Sequence, residues 1–281
     1  MLDLSAIYEV TDFTVGDTKA GTKMGKLPLR NTKDNTMLNC ILWEETLNRI
    51  EQRYFRTGNL IKILNGSFNE KYNNCLVSEV ELIKEAKKGM SEEASEKVFS
   101  KIIEYANKIQ KEDLREFILS LLNKYRSEFK IAPAAKTMHH NYIGGLTEHT
   151  YECLKISETV LSKFYKKIDP DIVYAACILH DFGKIFEYKT DLETGIISYN
   201  NDFIKDWISH SQWGFSLCMS KGYKDIAKMI AAHHGRTEWG AIIDLDTKDL
   251  EPFIYLIHHI DDLSAKFGKT SINDLEDGDS I

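Results

Sequence analysis

No two cysteines in this chain are spaced to act as a pair. The five (Cys40, Cys75, Cys153, Cys177 and Cys218) are scattered, with no C-x-x-C among them. That argues against a disulfide framework or a thiolate zinc site, and for a reducing cytosol. Long apolar runs are missing too: none approaches the roughly 20 residues of a membrane span. The opening MLDLSAIYEV has no basic stretch followed by an apolar one, so export is not expected. Basic surplus is also absent. A net charge of −7 excludes simple, nonspecific duplex binding through a basic surface. The excess of acid lies in residues 131–281, which hold 23 acidic and 15 basic side chains. Proline is scarce, with four in the chain, and Pro170 and Pro252 fall at expected helix N-termini, where a missing N–H costs little.

What is present describes a globular protein. Hydrophobic residues make up 43% and charged residues 28%, enough to bury a real core. A length of 281 residues exceeds the usual single domain, so two domains are expected. Residues 1–83 read as strands, broken by Gly16, Gly21, Gly25, Pro28 and the Lys33-Asp34-Asn35 turn, with Asn65-Gly66 and Asn73-Asn74 as further turn signals. EETLNRIEQRYF reads as one short helix between them. About five strands with a helix after the third is the pattern of an oligonucleotide-binding (OB) barrel, although SH3-like barrels give similar signals.

Residues 84–130 read as a linker and helical connector. KEAKKGMSEEASE is charged and rich in small residues, and Ser91 opens a helix whose stripe is Val98, Ile102, Ile103, Ala106 and Ile109. A second helix is expected from Glu112 to Phe129. From 131 to 269 nearly everything reads as helix: 145–166, 170–181, 202–221, 223–234 and 251–267. Residues 270–281 form an acidic tail, expected to be a solvated end. The fold class expected is therefore α+β and multidomain, a five-stranded barrel followed by an all-α bundle.

All nine histidines fall between His139 and His259. His149 lies early on a helix opened by Gly144-Gly145. His180-Asp181 ends the apolar helix DIVYAACILHD, a costly place for two polar groups unless a partner or a metal satisfies each. His210 sits in WISHSQWG. His233-His234 closes KMIAAHHG, where Gly235 is equally an ordinary helix C-cap. Asp261 lies on the last helix beside Asp262, which competes for the same role; His258 and His259 read as packing or supporting groups. Imidazole and carboxylate together suit Mn, Fe, Co, Ni or Zn, and this many ligands suggests more than one ion.

The order H…HD…D, falling on His149, His180-Asp181 and Asp261, resembles the HD-domain superfamily of metal-dependent phosphohydrolases. The extra histidines of its two-metal members match His210 and His233 or His234. GGLTEHT, ILHDFGK, HHGRTEWG and IHHIDDLSAK, together with NTKDNTMLNCILWEE and FRTGNLIKILNGSF, look like the YhaM family of 3′→5′ exoribonucleases, over roughly residues 7–269. The chain departs from that family after Trp239, where Gly240-Ala241-Ile242-Ile243 replaces Gly-Ser-Pro. The resemblance implies an OB domain before an HD domain, a Mn²⁺-dependent cytoplasmic exonuclease on single-stranded RNA or DNA, and a homo-oligomer.

On that reading His149, His180, Asp181 and Asp261 hold a first ion. Asp181 bridges to a second, held by His210 and His233 or His234. Lys184 is either a contact for a substrate phosphate or a solvated helix-end cation, and Arg236 is a further phosphate candidate. For strand binding the aromatics are Phe13, Trp43, Tyr54, Phe55, Phe68 and Tyr72, with Lys62, Lys71 and Arg56. Most of these aromatics are expected to fill the barrel, leaving Phe68 and Tyr72 exposed. The competing readings are a nucleotide or cyclic-(oligo)nucleotide phosphohydrolase, and a noncatalytic nucleic-acid-binding protein.

Overall fold

A computed structural model describes residues 2–86, 88–164, 167–207 and 209–267, so the acidic tail lies outside the described residues. The chain divides into two compact units, α+β taken together: one built on residues up to 88 with 190–198, the other on 89–189 and the residues from 199. No helix is long and apolar enough to cross a membrane among the described residues.

The first unit is a six-stranded sheet where about five strands were expected. Its strands are β1 (Ile7–Val10), β2 (Thr14–Asp17), β3 (Lys23–Asn31), β4 (Met37–Trp43), β5 (Leu60–Asn69) and β6 (Asn74–Lys84). The extra strand is β2, four exposed residues paired to β3 alone. The order is β1-β5-β6-β4-β3-β2, and β1 also pairs with β3. All pairings are antiparallel except β4 with β6, which sets Cys40 opposite Cys75. Along β3 the pleat turns Gly25, Leu27, Leu29 and Asn31 inward and Lys26 and Arg30 outward. Leu27, Leu29, Leu42, Ile61 and Ile63 are fully buried, each contributing about 1.5–3 kcal/mol by leaving water.

Two local expectations fail here for physical reasons. Asn65-Gly66 is not a turn but lies inside β5, where the register against β6 shifts. A glycine in a strand marks such a bulge or a close approach; a Cβ on Gly66 would stand 2.9 Å from the Leu76 carbonyl oxygen. The hairpin reverses at 70–73 instead, with Asn73 at φ 47°. The single helix expected over 44–55 is α1 (Glu44–Arg49) followed by a 3-10 turn (Gln52–Phe55), because Ile50 is extended.

The second unit holds α2 (Glu92–Asn107), α3 (Glu112–Lys124), α4 (Arg126–Ile131), α5 (Gly145–Phe164), α6 (Pro170–Leu179), α7 (Lys184–Glu187), α8 (Asn201–Asp206), α9 (His210–Ser220), α10 (Lys224–Ala232) and α11 (Ile254–Phe267). Ser91 caps α2 by accepting from the Ala94 N–H at 3.1 Å, and Asp169 caps α6 ahead of Pro170. Residues 89–130, expected as linker and connector, belong to this bundle. Phe99, Ile102, Ala106, Ile109, Leu114 and Ile118 share one core with Leu146, Leu154, Val173 and Ile230. Buried Asp171 ties the α2–α3 junction to α6 by accepting from the Gln110 and Lys111 N–H groups, each at 2.9 Å.

The long helix expected over 202–221 is two, α8 and α9, and the one over 112–129 is likewise divided at Tyr125. A short hairpin, β7 (Tyr188–Thr190) with β8 (Ile197–Tyr199), interrupts the helices and had no counterpart in the sequence reading.

Candidate metal centre

Helix ends assemble this site. Eight consecutive positions of α6, Ile172 to Leu179, are apolar, and all but Ile172 are buried. His180 follows as its C-cap, carrying an imidazole and then the Asp181 carboxylate into the interior. α9 begins at His210 because Ser209 is extended and accepts the Gln212 N–H at 3.3 Å. Gly183 lets that start come close, since a Cβ there would lie 2.8 Å from the His210 Cα. His233 caps α10. Gly235 is more than a convenient C-cap: its φ is +82°, and a Cβ would stand 2.6 Å from the His258 ring.

Proton accounting shows what the four inward imidazoles can do. His180 Nδ1–H donates to the Cys177 carbonyl at 2.9 Å, and His233 Nδ1–H to the Ile230 carbonyl at 2.6 Å. His210 Nδ1–H donates to Glu187 Oε2 at 2.7 Å, the same oxygen that takes the His210 backbone N–H at 2.7 Å. Ser264 gives its hydroxyl proton to Glu152 Oε2 at 2.7 Å, so it accepts from His149 Nδ1–H at 2.9 Å. Each Nδ1 thus holds the proton, and each Nε2 presents a bare lone pair inward.

Those lone pairs converge. His149 Nε2 lies 3.2 Å from His180 Nε2 and 3.1 Å from Asp261 Oδ1. Asp181 divides the group between its two oxygens: Oδ2 is 3.4 Å from His149 Nε2 and 3.6 Å from His180 Nε2. Oδ1 is 3.3 Å from His210 Nε2 and 3.6 Å from His233 Nε2. Asp181 Oδ1, His210 Nε2, His233 Nε2 and His234 Nδ1 are buried without a hydrogen-bond partner. Facing lone pairs and orphaned acceptors repel unless a cation lies among them, so this donor set fits metal ions.

Electrostatics agree. Burial pushes the His180 pKa down to about 4 and, with the neighbouring His233 ring, that of His234 down to about 2. Both rings therefore stay in the neutral, ligating form. Burial raises the Asp181 pKa, but Lys184, His180, His210 and His233 outweigh it and hold the carboxyl well below its usual range. For Asp261 burial is likewise outweighed, here by His149, so it too stays ionised. For His210 burial is opposed by Asp181 and Glu187, which raise its pKa and mark a position that favours positive charge.

The sequence candidates fall as follows. His149, His180, Asp181, His210, His233 and Asp261 come together, with the half-buried His234 within 4.8 Å of His210 and His233 through its ligand atom. Asp262 is exposed and pairs with Lys266, whereas His258 supports the group by donating to the His233 carbonyl at 2.7 Å. Cys153 Sγ is 3.7 Å from His149 Nε2, but burial raises its thiol well above the usual range, which disfavours the ligating thiolate. Lys184 is not the solvated helix-end cation that was one of its two expected roles: it is buried and pairs with Asp181 Oδ2 at 2.6 Å. Arg236 is paired with Asp246.

Sequence reasoning missed Glu152, Ser264 and Glu187. The first two sit three residues beyond His149 and Asp261, a spacing that puts side chains on one helix face. His139 and His140 were left unassigned, although two adjacent histidines in HHNYIGG were a visible signal.

In the strand unit Phe68 and Tyr72 are exposed, with Lys71 over the Tyr72 ring at 5.2 Å, and Lys62 is half-buried on β5. Trp43 is exposed as well. Phe13 and Phe55 pack on each other in the core at 4.8 Å. Arg56 is buried, bonded to Glu85, Ala86 and Thr194, so its cation is not on display.

Comparison with known families agrees with the geometry. The HD domain matches residues 146–266, a stretch that contains every ligand candidate above. HD domains are typically metal-dependent phosphohydrolases. No solved structure matches the chain.

Proposed function

We propose that this protein is a metal-dependent 3′→5′ exoribonuclease that shortens single-stranded RNA to nucleoside monophosphates. The observation that carries the catalytic half is the convergence of four Nε2 lone pairs on the two oxygens of Asp181. His149, His180, Asp181 and Asp261 would hold one divalent ion, and His210 with His233 or His234 would hold a second, Asp181 facing both groups. Mn²⁺ is the ion the sequence resemblance favours. Ions bound there supply a nucleophile at neutral pH and neutralise charge growing on the phosphoryl oxygens.

The protein's own groups do the remaining work. Glu187 and the Ser264–Glu152 pair fix ring tautomers, so each Nε2 stays a lone-pair donor. Lys184 holds Asp181 in place and limits the negative charge of the centre. The exclusion of water around His180 and His233, both buried, strengthens each of these interactions.

The strand unit is read as an OB-type barrel. Its pairings run β1-β5-β6-β4-β3 and return to β1, and the helix α1 lies between β4 and β5. Exposed Phe68 and Tyr72, with Lys62 and Lys71, are the groups that stack on bases and follow the phosphates. An N-terminal strand-binding unit favours a polynucleotide over a small nucleotide. The acidic net charge and the engagement of Arg236 with Asp246 favour the second reading, a nucleotide or cyclic-oligonucleotide phosphohydrolase.

A time course on 5′-labelled single-stranded RNA with Mn²⁺ separates the two readings. The exonuclease gives a ladder that shortens from the 3′ end. An untouched strand, with nucleotides or cyclic dinucleotides consumed instead, contradicts it.

A further inference from the structure

His139 and His140 take no part in the centre described above, yet one of them is in an unsustainable position for an ordinary core histidine. Both lie in the loop that leads into α5. The His140 side chain is fully buried, and neither ring nitrogen has a hydrogen-bond partner. Glu152 Oε2 stands 3.2 Å from His140 Nε2, but the ring is not aligned to donate to it. Leaving such a group unsatisfied in the interior is costly.

The backbone adds to that cost. His140 has φ 53°, in the left-handed region that residues other than glycine rarely adopt. Its neighbours impose the conformation. The Ala134 N–H donates to the His140 carbonyl at 3.0 Å, and Gly145 passes so close that a Cβ there would lie 2.0 Å from that oxygen. Strain that the surroundings over-determine is concentrated at binding sites.

A half-buried His139 shares the place. The ligand atoms of His139, His140 and His149 lie within 4.8 Å of one another. His149 is already committed through both nitrogens, to Ser264 and to the centre around Asp181. What remains free is two imidazoles with the Glu152 carboxylate beside one of them.

We propose that His139, His140 and Glu152 form a separate binding site for a divalent first-row transition ion, flanking His149. Two imidazoles and one carboxylate suit Mn, Fe, Co or Zn. An ion there would satisfy a His140 nitrogen that has no hydrogen-bond partner, and Glu152 would offset its charge. The site goes beyond the two-ion reading of the neighbouring centre and stands or falls separately from it.

The test is a metal count on the full chain, loaded with Mn²⁺, desalted and analysed by mass spectrometry. Wild-type protein is expected to carry three equivalents, and His139→Ala one fewer. His140→Asn serves as a second variant, because Asn tolerates the left-handed backbone. Asp181→Asn disrupts the neighbouring pair and is expected to keep an equivalent that disappears when His139→Ala is added. Wild-type protein that carries no more than two equivalents, with His139→Ala carrying the same number, overturns the site. Wild-type protein that carries one equivalent in all, lost in His139→Ala, supports the site while contradicting the pair.

Discussion

The two units of this protein treat polarity in opposite ways. In the strand unit the pleat sorts it: Leu27 and Leu29 face in, Lys26 and Arg30 face out. In the helical unit, helix ends carry imidazoles and carboxylates to the middle and leave several of their atoms unpaired. The first arrangement is what burial alone favours. The second costs free energy until something cationic occupies it, so it is the one that reports a function.

Removing metal should have the largest effect and should fall on the helical unit. Chelation is expected to abolish hydrolysis and to lower the melting temperature of the chain. Each ion stabilises by about 2.7 kcal/mol when present at a hundred times its Kd. A melting curve unmoved by chelator would mean that the orphaned atoms are not ligands.

Leu29→Ala probes the other side of the comparison. Truncating this fully buried residue should cost about 2–5 kcal/mol of stability by denaturant titration. The number of metal ions bound should stay the same. Glu187→Ala sharpens the account of the centre, because it removes the acceptor that sets the His210 tautomer. Metal affinity is expected to fall about 10–100-fold by titration, with little change in fold. Tyr72→Ala is the smallest change. It should weaken binding of a single-stranded RNA by about 1–3 kcal/mol, and leave hydrolysis of a small phosphodiester as it was. Equal loss of both would make Tyr72 part of the chemistry.

The two units were also unequally legible in the sequence. The clustering of these side chains could be read because they have few ordinary uses: a His-Asp pair ending an apolar helix calls for a partner. The strands followed from β-rich segments broken by turn residues. What was hidden depended on residues that serve two purposes. Asn65-Gly66 makes a good turn and an equally good bulge, and only the register with β6 decides. The break before His210 rests on Ser209, an unremarkable residue until it is seen as a cap. Residues 89–130 looked like a connector because their polar face dominates the composition, while Phe99 and Ile102 belong to the main core. Lys184 was read as either a phosphate contact or a solvated helix-end cation, because a sequence does not show that Asp181 is turned toward it.

The most direct test of the central claim is the rate of hydrolysis of a small phosphodiester by Mn²⁺-loaded protein, wild type beside Asp181→Asn. The substitution keeps the shape of the side chain and removes the charge on which both halves of the ligand set converge. The account predicts turnover by the wild type and none by the variant, with the circular dichroism of the two alike. A folded Asp181→Asn protein with full activity would contradict it.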